Sequence, residues 1–105
     1  MTKVMADYLN DSKTKPVLIE FWASSCAICK TIEDDLNTFV KEYASKIDFV
    51  KIDSPENMPL VVEFDVYNSP TFFILKDGAV LHKFKGDCFD KVKETLRTMT
   101  LYGVI

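Results

Sequence analysis

Read as hydrophobic and polar positions, the chain alternates two kinds of pattern. Residues 17–22 form a nearly unbroken apolar run after Pro16, which suits a strand covered on both faces. From Cys26 the period lengthens: Ile28, Ile32, Leu36, Phe39, Val40 and Tyr43 fall on one stripe of a helix. Glu33, Asp34 and Asp35 are read as lying early in that helix, where its dipole favours negative charge. A second strand is expected at 47–52. Ser54, Pro55, Asn57 and Pro59 then supply cap and first-turn chemistry for a short helix around 60–64. Two more apolar runs, 71–75 and 79–84, flank Lys76, Asp77 and Gly78; Asp-Gly in that setting predicts a tight antiparallel hairpin. Asp87 is placed to cap a last helix with Phe89, Val92, Leu96 and Met99 on its inner face. With a weakly signalled helix at 5–10, the order is helix, strand, helix, strand, helix, strand, strand, helix. A mixed sheet with helices on both faces satisfies it.

At 105 residues, 48% hydrophobic and 28% charged, the chain is expected to fold as one globular domain, 1–105. A net charge of -3 offers no basic field for nucleic acid. No run approaches the roughly 20 apolar residues of a membrane span, and the first ten residues do not read as a secretory signal. A cytoplasmic location is the expectation. Three cysteines, Cys26, Cys29 and Cys88, are too few and too unevenly spaced for a disulfide framework.

Cys26 and Cys29 stand at a strand-to-helix junction, and that position has a chemical logic. The positive end of the dipole and the unpaired N–H groups favour thiolate, the attacking species in disulfide exchange. A second cysteine three residues on lies one turn away and can close a bridge, so Cys26 is the candidate nucleophile and Cys29 the resolving thiol. Zinc is the competing reading, since Cys-x-x-Cys is also half of a metal site. His82 and Cys88 would have to complete it at an unusual spacing. A merely packed pair is the third.

The residues Phe21, Trp22, Ala23, Ser24, Ser25, Cys26, Ala27, Ile28, Cys29 and Lys30, followed by Ser69-Pro70-Thr71, Lys76-Asp77-Gly78 and Gly86, closely resemble the thioredoxin family in type, order and separation. The likeness runs from about residue 17 to about residue 96 and is far more specific than the cysteine pair alone. It implies a thioredoxin fold and reduction of protein disulfides by Cys26 and Cys29, without a bound cofactor. It also implies disulfide-containing protein substrates and a thioredoxin reductase as electron donor; a monomer is the expectation. Trp22, Ser25, Ala27, Ile28, Ser69, Pro70 and Gly86 fall at the family's substrate-contact positions, with Pro70 cis; an ordinary turn proline and turn glycine are the plain alternatives, and Trp22 is most simply a core or pocket-wall aromatic packed beneath the site.

The resemblance also gives Glu20, where the family usually has Asp, the role of taking the proton from Cys29. The alternative is a strand carboxylate paired with a lysine such as Lys51. Ser25 replaces a usual tryptophan, Ala27-Ile28 a usual Gly-Pro, and Asp34 a kinking proline, which implies a straighter helix. Only 16 residues precede Val17, so the family's first strand is expected to be short or absent, leaving about four strands. Cys88 reads as a small packed residue in the first turn of the last helix, with a regulatory or dimer-forming thiol as the minority view.

Overall fold

The structure, a computed structural model, describes residues 3–105. Elements follow in the order α1 (Met5–Asp11), β1 (Val17–Trp22), α2 (Ala27–Glu42), β2 (Asp48–Asp53), α3 (Met58–Glu63), β3 (Thr71–Lys76), β4 (Ala79–Lys85) and α4 (Phe89–Leu101). Among the described residues the strands form one four-stranded sheet ordered β2-β1-β3-β4. β1 runs parallel to β2 and antiparallel to β3, and β3 is antiparallel to β4.

Position in the sheet explains the sequence of each strand. The two inner strands are buried along nearly their whole length, so they carry the continuous apolar runs. β4 at the edge is exposed at almost every position and is correspondingly mixed. The hairpin between β3 and β4 turns through Asp77 (φ 56°) and Gly78 (φ 84°), two left-handed residues as a type I′ turn requires.

Side-chain alternation divides the core between the two faces. Leu18, Phe72 and Ile74 face α2 and α4, packing with Leu36, Phe39, Phe89, Val92 and Leu96. Val17, Ile19, Phe21, Phe73 and Leu75 face the opposite side, toward Tyr8 of α1 and Leu60 and Phe64 at α3. Glu20 shares parity with Leu18. It therefore points toward α2.

Three local expectations are revised. α4 begins at Phe89 with Cys88 as its N-cap, so Asp87 does not cap it. Cys88 precedes the first turn. In α2 the N-cap is Cys26, which puts Glu33, Asp34 and Asp35 beyond the first turn, outside the reach of the dipole. Glu33 and Asp35 are instead held by lysines, Lys51 at 3.0 Å and Lys93 at 2.7 Å.

Candidate functional site

One end of the sheet assembles the site. The antiparallel register sets Phe21 of β1 beside Thr71, and Thr71 beside Lys85 at the end of β4. The segments leaving β1 and β4 and the segment entering β3 therefore emerge at the same end of the sheet. They carry Cys26, Gly86 and Pro70.

After β1 the chain turns tightly, the Cys26 N–H donating to the Ala23 carbonyl at 3.0 Å. Cys26 keeps an extended backbone (φ -85°, ψ 108°) and α2 starts at the next residue. The Cys29 N–H donates to Cys26 Sγ at 3.1 Å, so a helix donor is aimed at that sulfur. The two cysteines form a disulfide, with Cα atoms 5.3 Å apart. Cys26 is half-buried at the rim, whereas Cys29 lies beneath it and is buried. Ser25, Ala27 and Ile28 surround the outer sulfur as an exposed collar. α2 then runs unbroken past Asp34.

The Ser69–Pro70 peptide is cis. Pro70 is buried and Ser69 half-buried. The Pro70 carbonyl accepts a hydrogen bond from the Gly86 N–H at 2.9 Å, which ties the two loops together. Gly86 has φ 73°, and a Cβ there would meet nothing within 4 Å. Glycine is required at this position by the left-handed backbone alone.

Beneath the disulfide lies a cavity of about 130 Å³, lined by Glu20, Trp22, Cys29, Glu33, Leu36 and Lys51 among others. Such a volume has room for ordered water. Glu20 forms part of its wall; the residue is 1% exposed and its Oε1 has no hydrogen-bond partner among the described residues. Burial pushes this carboxyl up to about 7, with the Lys51 ammonium opposing the rise and the Glu33 carboxylate reinforcing it. Lys51 is the cross-strand neighbour of Glu20, as the lysine alternative supposed, yet its Nζ sits 3.0 Å from Glu33 Oε1 and 4.5 Å from the Trp22 ring centroid. Trp22 is a half-buried wall of the cavity. The Lys51–Glu33 pair and the cavity escape sequence reasoning, because only the β1–β2 register brings residues 20, 33 and 51 together.

His82 and Cys88 do not join the cysteine pair. His82 is exposed on β4, stacked on Phe84, while Cys88 is buried in the α2–α4 core. Among the described residues no group of three or more His, Cys, Asp or Glu is arranged to hold a metal ion. Nor is any described helix long and apolar enough to cross a membrane.

Residues 3–98 match the family model described as Thioredoxin. Over 76 residues the chain is 41% identical to Thioredoxin C-2 of Corynebacterium nephridii, covering 72% of this chain and 68% of that one. Over 64 residues it is 44% identical to Thioredoxin X, chloroplastic, of Arabidopsis thaliana, covering 61% of this chain and 35% of the plant protein. Among solved structures, thioredoxin from Trypanosoma brucei brucei superposes with a TM-score of 0.82 at 26% identity, covering 94% of this chain and 88% of that one.

Proposed function

Since the chain belongs to the thioredoxin family, we propose that it is a thiol-disulfide oxidoreductase that reduces protein disulfides by cycling Cys26 and Cys29 between dithiol and disulfide. The observation that carries this reading is the stacking of three groups. An accessible sulfur stands at the N-cap of α2, a buried sulfur bridges to it, and an unpartnered carboxyl lines the cavity below.

In the dithiol form, the Cys26 thiolate attacks one sulfur of a substrate disulfide. A mixed disulfide forms and the other substrate sulfur leaves as thiolate. Glu20, ionised, takes the proton from the Cys29 thiol, directly or through water in the cavity. The Cys29 thiolate then attacks Cys26 Sγ, closing the Cys26–Cys29 bridge and releasing the second substrate sulfur as thiolate. Two electrons pass from the dithiol to the substrate. A further two, from a thioredoxin reductase in this reading, restore the dithiol.

Ser25, Ala27 and Ile28 form the collar that meets substrate, Trp22 supports it from below, and Ser69, Pro70 and Gly86 offer the facing loop. The same reading takes residues 1–105 as one domain acting as a monomer in the cytoplasm. The net charge of -3 offers no basic field for nucleic acid, which the reading does not require.

Insulin reduction with dithiothreitol as donor tests the activity. The wild-type chain is expected to accelerate precipitation of the insulin B chain, and Cys26→Ser to fall to the rate of dithiothreitol alone. Equal rates for the two proteins would leave a thioredoxin-fold interaction module with idle or metal-binding cysteines as the better reading, and metal analysis would then separate those two.

A further inference from the structure

The cavity holds one more acidic group than the exchange reaction uses. Glu33 projects from α2 at its mouth, half-exposed, with Oε1 3.0 Å from Lys51 Nζ. Lys51 is the only cation on β2 and the cross-strand neighbour of Glu20 in the parallel register, so both residues point toward α2. Its ammonium therefore has two carboxyls within the same cavity to choose between. It takes Glu33 and lies over the Trp22 ring at 4.5 Å, while Glu20 Oε1 is left without a hydrogen bond.

We propose that Glu33 is a positioning residue: by holding the Lys51 ammonium at the cavity mouth, it keeps that ammonium off the Glu20 carboxyl. Both carboxylates compete for one cation, and the exposed one wins because pairing there costs the ammonium less of its hydration. The consequence is a buried carboxyl that changes protonation near neutral pH, the range in which it can both accept and return a proton. A Lys51–Glu20 ion pair would instead fix Glu20 as a permanent carboxylate and weaken it as a base.

The charged and titratable groups around Glu20 are few. α2 contributes Cys29, bridged in this structure, together with Lys30 and Glu33; β2 contributes Lys51; the neighbour on β3 is the uncharged Phe72. Glu33 thus acts on Glu20 in two ways: by its own negative charge, and through where it holds Lys51. The second route is what makes Glu33 a positioning residue.

The functional meaning rests on the disulfide-exchange reading, but the test does not require turnover. In the oxidised protein, where neither Cys26 nor Cys29 titrates, the Glu20 carboxyl is followed by its carbon-13 chemical shift against pH. Glu33→Gln is expected to move the midpoint downward by at least about half a pH unit, since it removes a like charge and frees the lysine. Lys51→Met is expected to move it upward. In the Lys51→Met background, Glu33→Gln is expected to produce less than half the shift it gives alone, and Glu33→Asp should retain most of the wild-type midpoint. An equal Glu33→Gln shift in both backgrounds would overturn the proposal, because Glu33 would then act by its charge alone. So would no shift, or an upward one. Failure of the insulin assay with these titration shifts intact would instead count against the exchange reading.

Discussion

Two helices of this fold begin in the same way, and only one of them makes a redox site. α2 and α4 each follow a strand, and each has a cysteine at the N-cap, Cys26 and Cys88. At α2 the sulfur reaches the surface, accepts the Cys29 N–H at 3.1 Å and has a second cysteine one turn on. At α4 the cysteine is buried among Leu36, Phe72, Phe89 and Val92, and its sulfur makes no capping hydrogen bond. Burial, with the Asp87 carboxylate beside it, pushes the Cys88 thiol up to about 11. The contrast separates two ideas that are easily merged. A helix N-terminus supplies a favourable field, but a reactive thiolate also needs access and a donor aimed at the sulfur. What lies beneath differs too: a cavity with an unpartnered carboxyl under α2, packed aromatic rings under α4.

The sharpest way to break this contrast is alkylation of the reduced protein at pH 7, with the modified cysteines identified by peptide mass spectrometry. A thiol at about 11 is ionised in about one molecule in ten thousand at that pH, and burial slows Cys88 further. Cys26 is expected to react first and Cys88 only when the chain unfolds. Comparable rates at the two sites would mean that burial does not distinguish them.

A smaller effect is expected from the group beneath α2. Glu20→Gln should slow the resolving step on the order of a hundredfold, read as a longer-lived mixed disulfide in stopped-flow mixing. The same variant changes how stability depends on pH. Glu20 is held at about 7 in the folded chain against 4.5 when solvated, so the folded state binds its proton more tightly. The wild-type chain is therefore most stable, as far as this group is concerned, below about pH 4.5, and loses that contribution as pH rises to about 7. Urea melts of the oxidised protein should show Glu20→Gln lacking this decline and gaining on the order of 2 kcal/mol over wild type at pH 8, after allowance for solvent screening at the cavity mouth. Parallel pH profiles for the two proteins would remove Glu20 from the account.

The least effect sharpens the comparison at α4. Gly86 shapes the approach to Cys88 with a left-handed backbone in open space. Gly86→Ala should cost about 1 kcal/mol in the same melts, from backbone conformation alone. A cost of several kcal/mol would indicate a steric clash that the open surroundings do not contain.

Much of this was legible in the residues, for reasons that differ by element. β1 could be bounded at 17–22 because an inner strand must be apolar on both faces, and the hairpin because Asp77-Gly78 suits a turn with two left-handed residues. The cysteine pair announced itself by spacing at the end of a strand. The cap of α4 did not, because Asp87 and Cys88 are adjacent, and packing of Cys88 and Phe89 in the core decides where the helix starts. The acidic cluster misled for a different reason: with the helix starting just after Cys26, as its stripe implies, residues 33–35 already lie beyond the first turn, where the dipole no longer acts. Glu33 and Lys51 lie 18 residues apart on different elements, and no periodicity links them. Their pairing follows from sheet register and helix placement, which are tertiary facts.

The most direct measurement is trapping with Cys29→Ser, in which the resolving sulfur is gone but the outer one remains. Incubated with a disulfide-bonded protein substrate, this variant is expected to accumulate a one-to-one mixed disulfide, mapped by peptide mass spectrometry to Cys26, with Cys88 unmodified. An adduct on Cys88, or no adduct at all, would contradict the assignment of the α2 N-terminus as the site of attack.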